Sequence, residues 1–184
     1  MIKLQPCDVL IFVQEGHDIS SVIGRWGIGR YGHAAMYMGN AFGLVPVMIE
    51  STGGGVEIHS LQRSTGRLVK VMRPWLVTYD PDKRGLLIET AIEIASDPQS
   101  YYDFLGVVKN CLPRVLKEKF PFLPIPPQYQ RDSAMICSEL VAEIYWRSGF
   151  EVLPRDVVPL PGDFESSPIL QDMGEGRMFD IAVP

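Results

Sequence analysis

The sequence predicts an α+β domain, an antiparallel sheet followed by helices. Three observations carry this. Short segments with alternating apolar residues, separated by loops rich in Gly and Pro, fill the first 75 residues. From residue 84 the apolar spacing changes to a helical one. The 184 residues contain no internal repeat and no linker long enough to divide them, so 1–184 reads as a single domain with a real core.

Residues 8–13, "DVLIFV", read as a buried strand, with five apolar residues in a row after Asp8. "HDISSVIGRWG" fits a short helix capped by Asp18 and closed by the glycines after it. Residues 33–38 and 47–51 are two strands joined by a loop, with Pro46 just outside the second because proline cannot donate to a ladder. "GVEIHSL" alternates Val56, Ile58 and Ser60, and "LVKVMR" alternates Val69 and Val71, which extends the pattern to an antiparallel meander. Residues 84–96 then place Leu87, Ala91 and Ile94 on one helical face and Glu89 and Glu93 opposite. "YDFLGVVKNCLPRVLKEKF" continues as helix, broken at Pro113. "FPFLPIPPQYQRDS" is too rich in proline for regular structure. "CSELVAEIYWRSG" is a helix ending at Gly149, and "RMFDIAV" is a last strand.

The stretch "GIGRYGHAAMYMG" also contains Gly27, Gly29 and Gly32 in dinucleotide-binding spacing, with Glu50 further on as a ribose ligand. That reading needs a buried strand before the turn and a crossover helix after it. "DISSVIGRW" has no strand alternation, and "HAAMYM" is too short for a crossover before Gly39 and Asn40. As strand, His33, Ala35 and Tyr37 face one way, and Ala34, Met36 and Met38 the other. The glycines then serve a bend that brings the chain close to a neighbour. No nucleotide cofactor is expected.

Composition excludes several classes. A net charge of −5, without basic stripes or interleaved aromatics, argues against nucleic acid. No apolar run approaches the roughly 18 residues a membrane span needs. The N-terminal "MIKLQPCDVLIFVQEG" is interrupted by Asp8 and has no small-residue cleavage site, so no signal peptide is expected. The three cysteines, Cys7, Cys111 and Cys137, are too few for a disulfide framework and fit a reducing, cytoplasmic setting. Release by a virus or by lysis is compatible with the same composition. No metal is expected.

Cys137 starts a helix whose Leu140, Val141 and Ile144 face inward. A helix N-terminus carries unpaired N–H groups and about half a positive charge. Both favour thiolate over thiol, and the N–H groups suit an oxyanion. Cys7 and Cys111 read as buried structural thiols. A cysteine nucleophile needs a base, and the histidines are His17, His33 and His59. His59 alternates outward and His17 lies in a loop, so both read as surface residues. His33 follows a glycine bend, with small Ala34 and Ala35 leaving its ring room to face a helix. If its strand pairs with the next about residues 41–42, Glu50 comes opposite His33 and can hold the second ring nitrogen. A Cys-His-Glu set follows.

The order "CDVLIF", "YGHAAMYMGN", "VMIES", "VMRP", "YYDFLG", "CSELVAEIYWRSG" and "SSPIL" resembles the circularly permuted branch of the NlpC-type papain-like superfamily. This is the YiiX/YaeF-like group of cysteine hydrolases, itself similar to the lecithin:retinol acyltransferase family. The resemblance runs from about residue 7 to residue 170, and "HAAMYMG" and "CSELV" are its most specific parts. It implies a permuted papain-like α+β fold and hydrolysis of an amide or ester. Cys137 is then the nucleophile, His33 the base and acid, Glu50 the residue that orients the imidazole, and Tyr102 in "YYDF" an oxyanion donor. Peptides, peptidoglycan fragments and acyl lipids are the implied substrates. Acyl transfer to an acceptor other than water is the alternative activity, and an inactive ligand-binding or structural member is the alternative of another class.

Overall fold

The computed structural model describes residues 2–15, 29–40, 42–43, 45–98, 122 and 135–178. The strands are β1 (Val9–Val13), β2 (Tyr31–Gly39), β3 (Val47–Thr52), β4 (Gly55–Ser60), β5 (Leu68–Pro74) and β6 (Leu170–Arg177). The helices are α1 (Trp75–Thr78), α2 (Pro81–Ser96) and α3 (Cys137–Arg147). The architecture is α+β, with one six-stranded sheet in the order β4-β3-β2-β1-β5-β6 and every neighbouring pair antiparallel.

β1 to β4 form the expected meander, but β5 does not extend it. After a 3-10 turn at Leu61–Ser64 the chain crosses back and β5 pairs with β1, with Val9 opposite Met72. An all-apolar β1 explains the crossing: its four residues Val9–Phe12 are completely buried and need a neighbour on each side. A strand not expected from the sequence, "LQDMGEGR", pairs from Leu170 to Arg177 along the free edge of β5; the expected strand "RMFDIAV" lies mostly outside the described residues. The expected short helix at Asp18, the continuation across Pro113 and the proline-rich segment lie outside the described residues.

Alternation along β2 divides the core into two layers. Ala34, Met36 and Met38 join Ile11, Ile49 and the α3 residues Leu140, Val141 and Ile144 on one face. Ala35 and Tyr37 join Leu10, Phe12, Met48, Val69 and Val71 on the other. Leu140, Val141 and Ile144 are fully buried, each contributing about 1.5–3 kcal/mol from apolar burial. That burial holds α3 against β2 and β3 and fixes where its first residue sits.

The ends of α3 are set locally. Ile136 is extended (φ −74, ψ 165) and its N–H donates to Glu139 Oε2 at 2.9 Å, while Ile136 itself offers no side-chain cap. At the other end Gly149 takes φ +84, a left-handed position that favours glycine. Gly149 N–H donates to Trp146 O and Phe150 N–H to Tyr145 O, which together close the helix.

Beneath the start of β1, Asp8 is fully buried and accepts from Arg73 Nε at 2.9 Å and from Arg73 Nη2 at 2.8 Å. Arg73 Nη2 also donates to the Lys3 carbonyl at 2.6 Å, so this bidentate pair ties the N-terminal segment to β5.

Candidate active site

Cys137 is the first residue of α3, at the end of β2 where β3 parts from it. The β2–β3 pairing joins Tyr37 to Met48 and Met36 to Ile49 and goes no further toward His33. In the gap beyond, Ser51 Oγ donates to the Met135 carbonyl at 2.6 Å, pinning the approach to α3 onto β3. The Cys137 sulfur is close enough to the His33 ring and to the backbone N–H groups of Ala34 and Ser138 for all three to stabilise its thiolate. His33 alternates onto the face away from α3. The sulfur nevertheless interacts with the His33 ring, beside the stretch of β2 that β3 does not pair with.

His33 Nε2 lies 2.6 Å from Glu50 Oε2, which leaves Nδ1 as the ring nitrogen for the sulfur. The ring also leans on Phe12, with centroids 5.7 Å apart. The register differs from the expected one by two residues, a step that keeps each residue on its face. Continued by one residue, it sets Ala35 opposite Glu50 and leaves His33 on the diagonal, within reach of long side chains. The glycine before His33 serves a close approach, as expected: a Cβ on Gly32 would stand 2.3 Å from the Gln14 side chain. Gly32 lies inside β2, so no turn for a nucleotide phosphate forms there.

The charges of the three groups support one another. Burial alone pushes the Cys137 thiol up, but the His33 charge and hydrogen bond, with the N–H groups of Ala34 and Ser138, bring it below its ordinary 9.0. Burial opposes charge on His33, yet the Cys137 sulfur and the Glu50 carboxylate raise it from 6.5 to about 9. Burial also opposes charge on Glu50, and the hydrogen bonds and charges of His33 and His59 lower it from 4.5 to about 2. Each partner thus favours the charged form of the next, a thiolate–imidazolium–carboxylate chain.

Cys7 is the contrast. It is fully buried at φ 76, and burial with the neighbouring Asp8 pushes its thiol up to about 12. This is the inert structural cysteine the sequence suggests. Cys111, His17 and Tyr102 lie outside the described residues.

His59 is not a surface residue. It is 8% exposed, and its Nε2 lies 2.6 Å from Glu50 Oε1. Its alternation is as read, opposite in direction to Val56 and Ile58. The face it turns to, however, is the second core layer and not solvent: Met48 stands opposite it across β3. The signal available in the sequence was Glu50 itself, whose carboxylate has two oxygens to satisfy while His33 supplies one donor.

Fold and site together define an α+β protein with a free cysteine at a helix N-terminus, interacting with a histidine on the adjoining antiparallel sheet. No family model matches the sequence, and no curated protein does. Among solved structures the chain is similar to the crystal structure of a metalloprotein, yiiX, from Escherichia coli, at 16% identity and a TM-score of 0.59. The match covers 94% of this chain and 98% of that one, so the likeness is one of fold over nearly the whole length. The neighbour belongs to the YiiX side of the resemblance drawn from the sequence. Among the described residues no helix is long and apolar enough to cross a membrane.

Proposed function

We propose that this chain is a cysteine hydrolase of the permuted papain-like kind, cleaving an amide or ester bond. The observation that carries the reading is the His33 ring held at 2.6 Å by Glu50 on one side and interacting with the Cys137 sulfur on the other.

The Cys137 thiolate attacks the substrate carbonyl carbon, and the C=O electron pair moves onto oxygen. The N–H groups in the first turn of α3, where Ile136 supplies no side-chain cap, stand where that oxyanion forms. The imidazolium of His33 gives its proton to the leaving nitrogen or oxygen as the C–N or C–O bond breaks, and a thioester remains. His33, now neutral, takes a proton from water as the water attacks the thioester carbonyl. The C–S bond breaks, the acid product leaves, and thiolate and imidazolium are restored. Glu50 holds the ring in the orientation both transfers need and favours its charged form. Tyr102 is a further oxyanion donor by resemblance. Peptides, peptidoglycan fragments and acyl lipids are the substrate classes this chemistry accepts.

The structural neighbour is described as a metalloprotein. Among the described residues of this chain, no group of three or more His, Cys, Asp and Glu side chains could hold a metal ion. The imidazole nitrogens stand 2.6 Å from the Glu50 oxygens, so these atoms are already engaged with one another in direct hydrogen bonds. The described residues do not fit a metal, and no step is routed through one.

The test is covalent trapping. Incubation with 4-nitrophenyl esters of graded acyl length and with peptide anilides, followed by intact mass measurement, should find one acyl adduct, mapped to Cys137. Release of nitrophenol or aniline by the Cys137→Ala variant at the wild-type rate overturns the proposal.

A further inference from the structure

Glu50 is gripped from both sides, and only one of its partners belongs to the proposed chemistry. His59 sits on β4 across from Met48, while Glu57 stands across from Glu50. His59 is therefore a diagonal neighbour of Glu50 on the same face. Its Nδ1 lies 3.0 Å from the Ser60 carbonyl oxygen and its Nε2 lies 2.6 Å from Glu50 Oε1. An ionised carboxylate only accepts, so Nε2 is the nitrogen that donates to Glu50.

We infer that His59 is a positioning residue of this site: a second, buried donor that holds the Glu50 carboxylate with Oε2 turned toward His33. The inference rests on the proposed hydrolase chemistry and adds a residue to it. A carboxylate on a side chain as long as glutamate turns easily when only one of its oxygens is bound. Here Oε1 is fixed by His59 and Oε2 by His33, both at 2.6 Å, so the plane of the carboxylate is set by two points. His59 is in turn fixed by the Ser60 carbonyl on its own strand. The chain Ser60 O, His59, Glu50, His33, Cys137 thus runs from the edge strand β4 to the start of α3. Glu57, two residues back on β4, is engaged by Arg63 at 3.4 Å. Removing His59 frees the carboxylate to turn away from His33, and a less well held imidazolium disfavours the thiolate.

The experiment needs no substrate. Iodoacetamide labelling of Cys137 is followed by mass spectrometry across pH in the full chain, for wild type, His59→Phe and His59→Gln. His59→Phe should slow labelling about tenfold in the acidic range, the factor expected when the thiolate fraction falls tenfold there. His59→Gln, whose amide still donates to Oε1, should recover most of that rate. Alongside, 15N NMR of the wild-type histidines should find a hydrogen on Nε2 of His59. Labelling of His59→Phe at the wild-type rate, equal impairment in both variants, or a His59 Nε2 without a hydrogen overturns the inference. The hydrolase reading fails separately, when wild-type Cys137 itself labels like an ordinary thiol. If His59→Phe does not fold, His59→Gln and the NMR measurement still decide.

Discussion

His33 Nε2 lies 2.6 Å from Glu50 Oε2, although the strand register places the two residues on a diagonal and not opposite each other. The geometry gives the histidine a fixed tautomer and leaves its other nitrogen for Cys137. It also separates the two described cysteines. Labelling each with iodoacetamide as a function of pH should find Cys137 reacting with a midpoint clearly below the free-thiol value of about 8.5. Cys7, its thiol pushed up to about 12, should stay unlabelled until the protein unfolds. Similar slow labelling of both, with a midpoint near the free-thiol value of about 8.5, contradicts the thiolate–imidazolium chain.

On an ester or anilide that the wild type turns over, Cys137→Ala and His33→Ala should each abolish turnover almost completely. The double variant should be scarcely slower than either single one, because members of one catalytic unit are grossly non-additive. Glu50→Gln should cost less, as the amide still holds the imidazole and only the charge is lost; orienting residues in comparable triads cost up to roughly 10⁴ in rate. Cys137→Ala should melt within a few degrees of wild type. Multiplicative losses in the double variant place the two residues in separate roles.

Acid stability should report on Glu50. Its folded pKa of about 2 lies below its ordinary 4.5, so its contribution is fully present above 4.5 and is lost as pH falls toward 2. His33 behaves in the opposite sense: raised from 6.5 to about 9, it stabilises below 6.5 and the contribution fades as pH rises through 9. Denaturant melts of wild type and Glu50→Gln across pH should therefore converge on the acid side and diverge between 2 and 4.5. Parallel curves over that window remove the ion pairs from the stability of the site.

The Asp8–Arg73 pair makes a fourth prediction. Asp8 is fully buried and bound through both oxygens. Arg73→Met alone strands a buried carboxylate and should cost about 3–5 kcal/mol. Replacing both residues with apolar ones should cost less than either single change. Urea unfolding of the three variants checks the cycle, and additive losses would mean the two side chains do not act as a pair.

Local patterns were enough for much of this fold. Alternation in "HAAMYMG" assigned residues to the two core layers correctly, and the helical face of "CSELVAEIYW" with Gly149 after it located α3. Cys137 was marked by its place at a helix start, and His33 by the glycine and small residues around it. Even the parity of Glu50 was legible, since a register error of two residues leaves a side chain on its face.

What the sequence determined by itself is which face each residue takes within its own element, because period and capping are properties of neighbours along the chain. What only the tertiary structure decided is what those faces meet. β5 returns to β1 because an all-apolar strand needs burial on both sides, a demand no local pattern expresses. His59 turns as its alternation says but finds Met48 and Glu50 where solvent was expected. The Cys137 thiol meets a histidine that alternates onto the other face of β2, at a stretch β3 does not pair with. Each of these depends on the packing of segments distant in sequence, where burial and hydrogen-bond satisfaction are decided among all the elements at once.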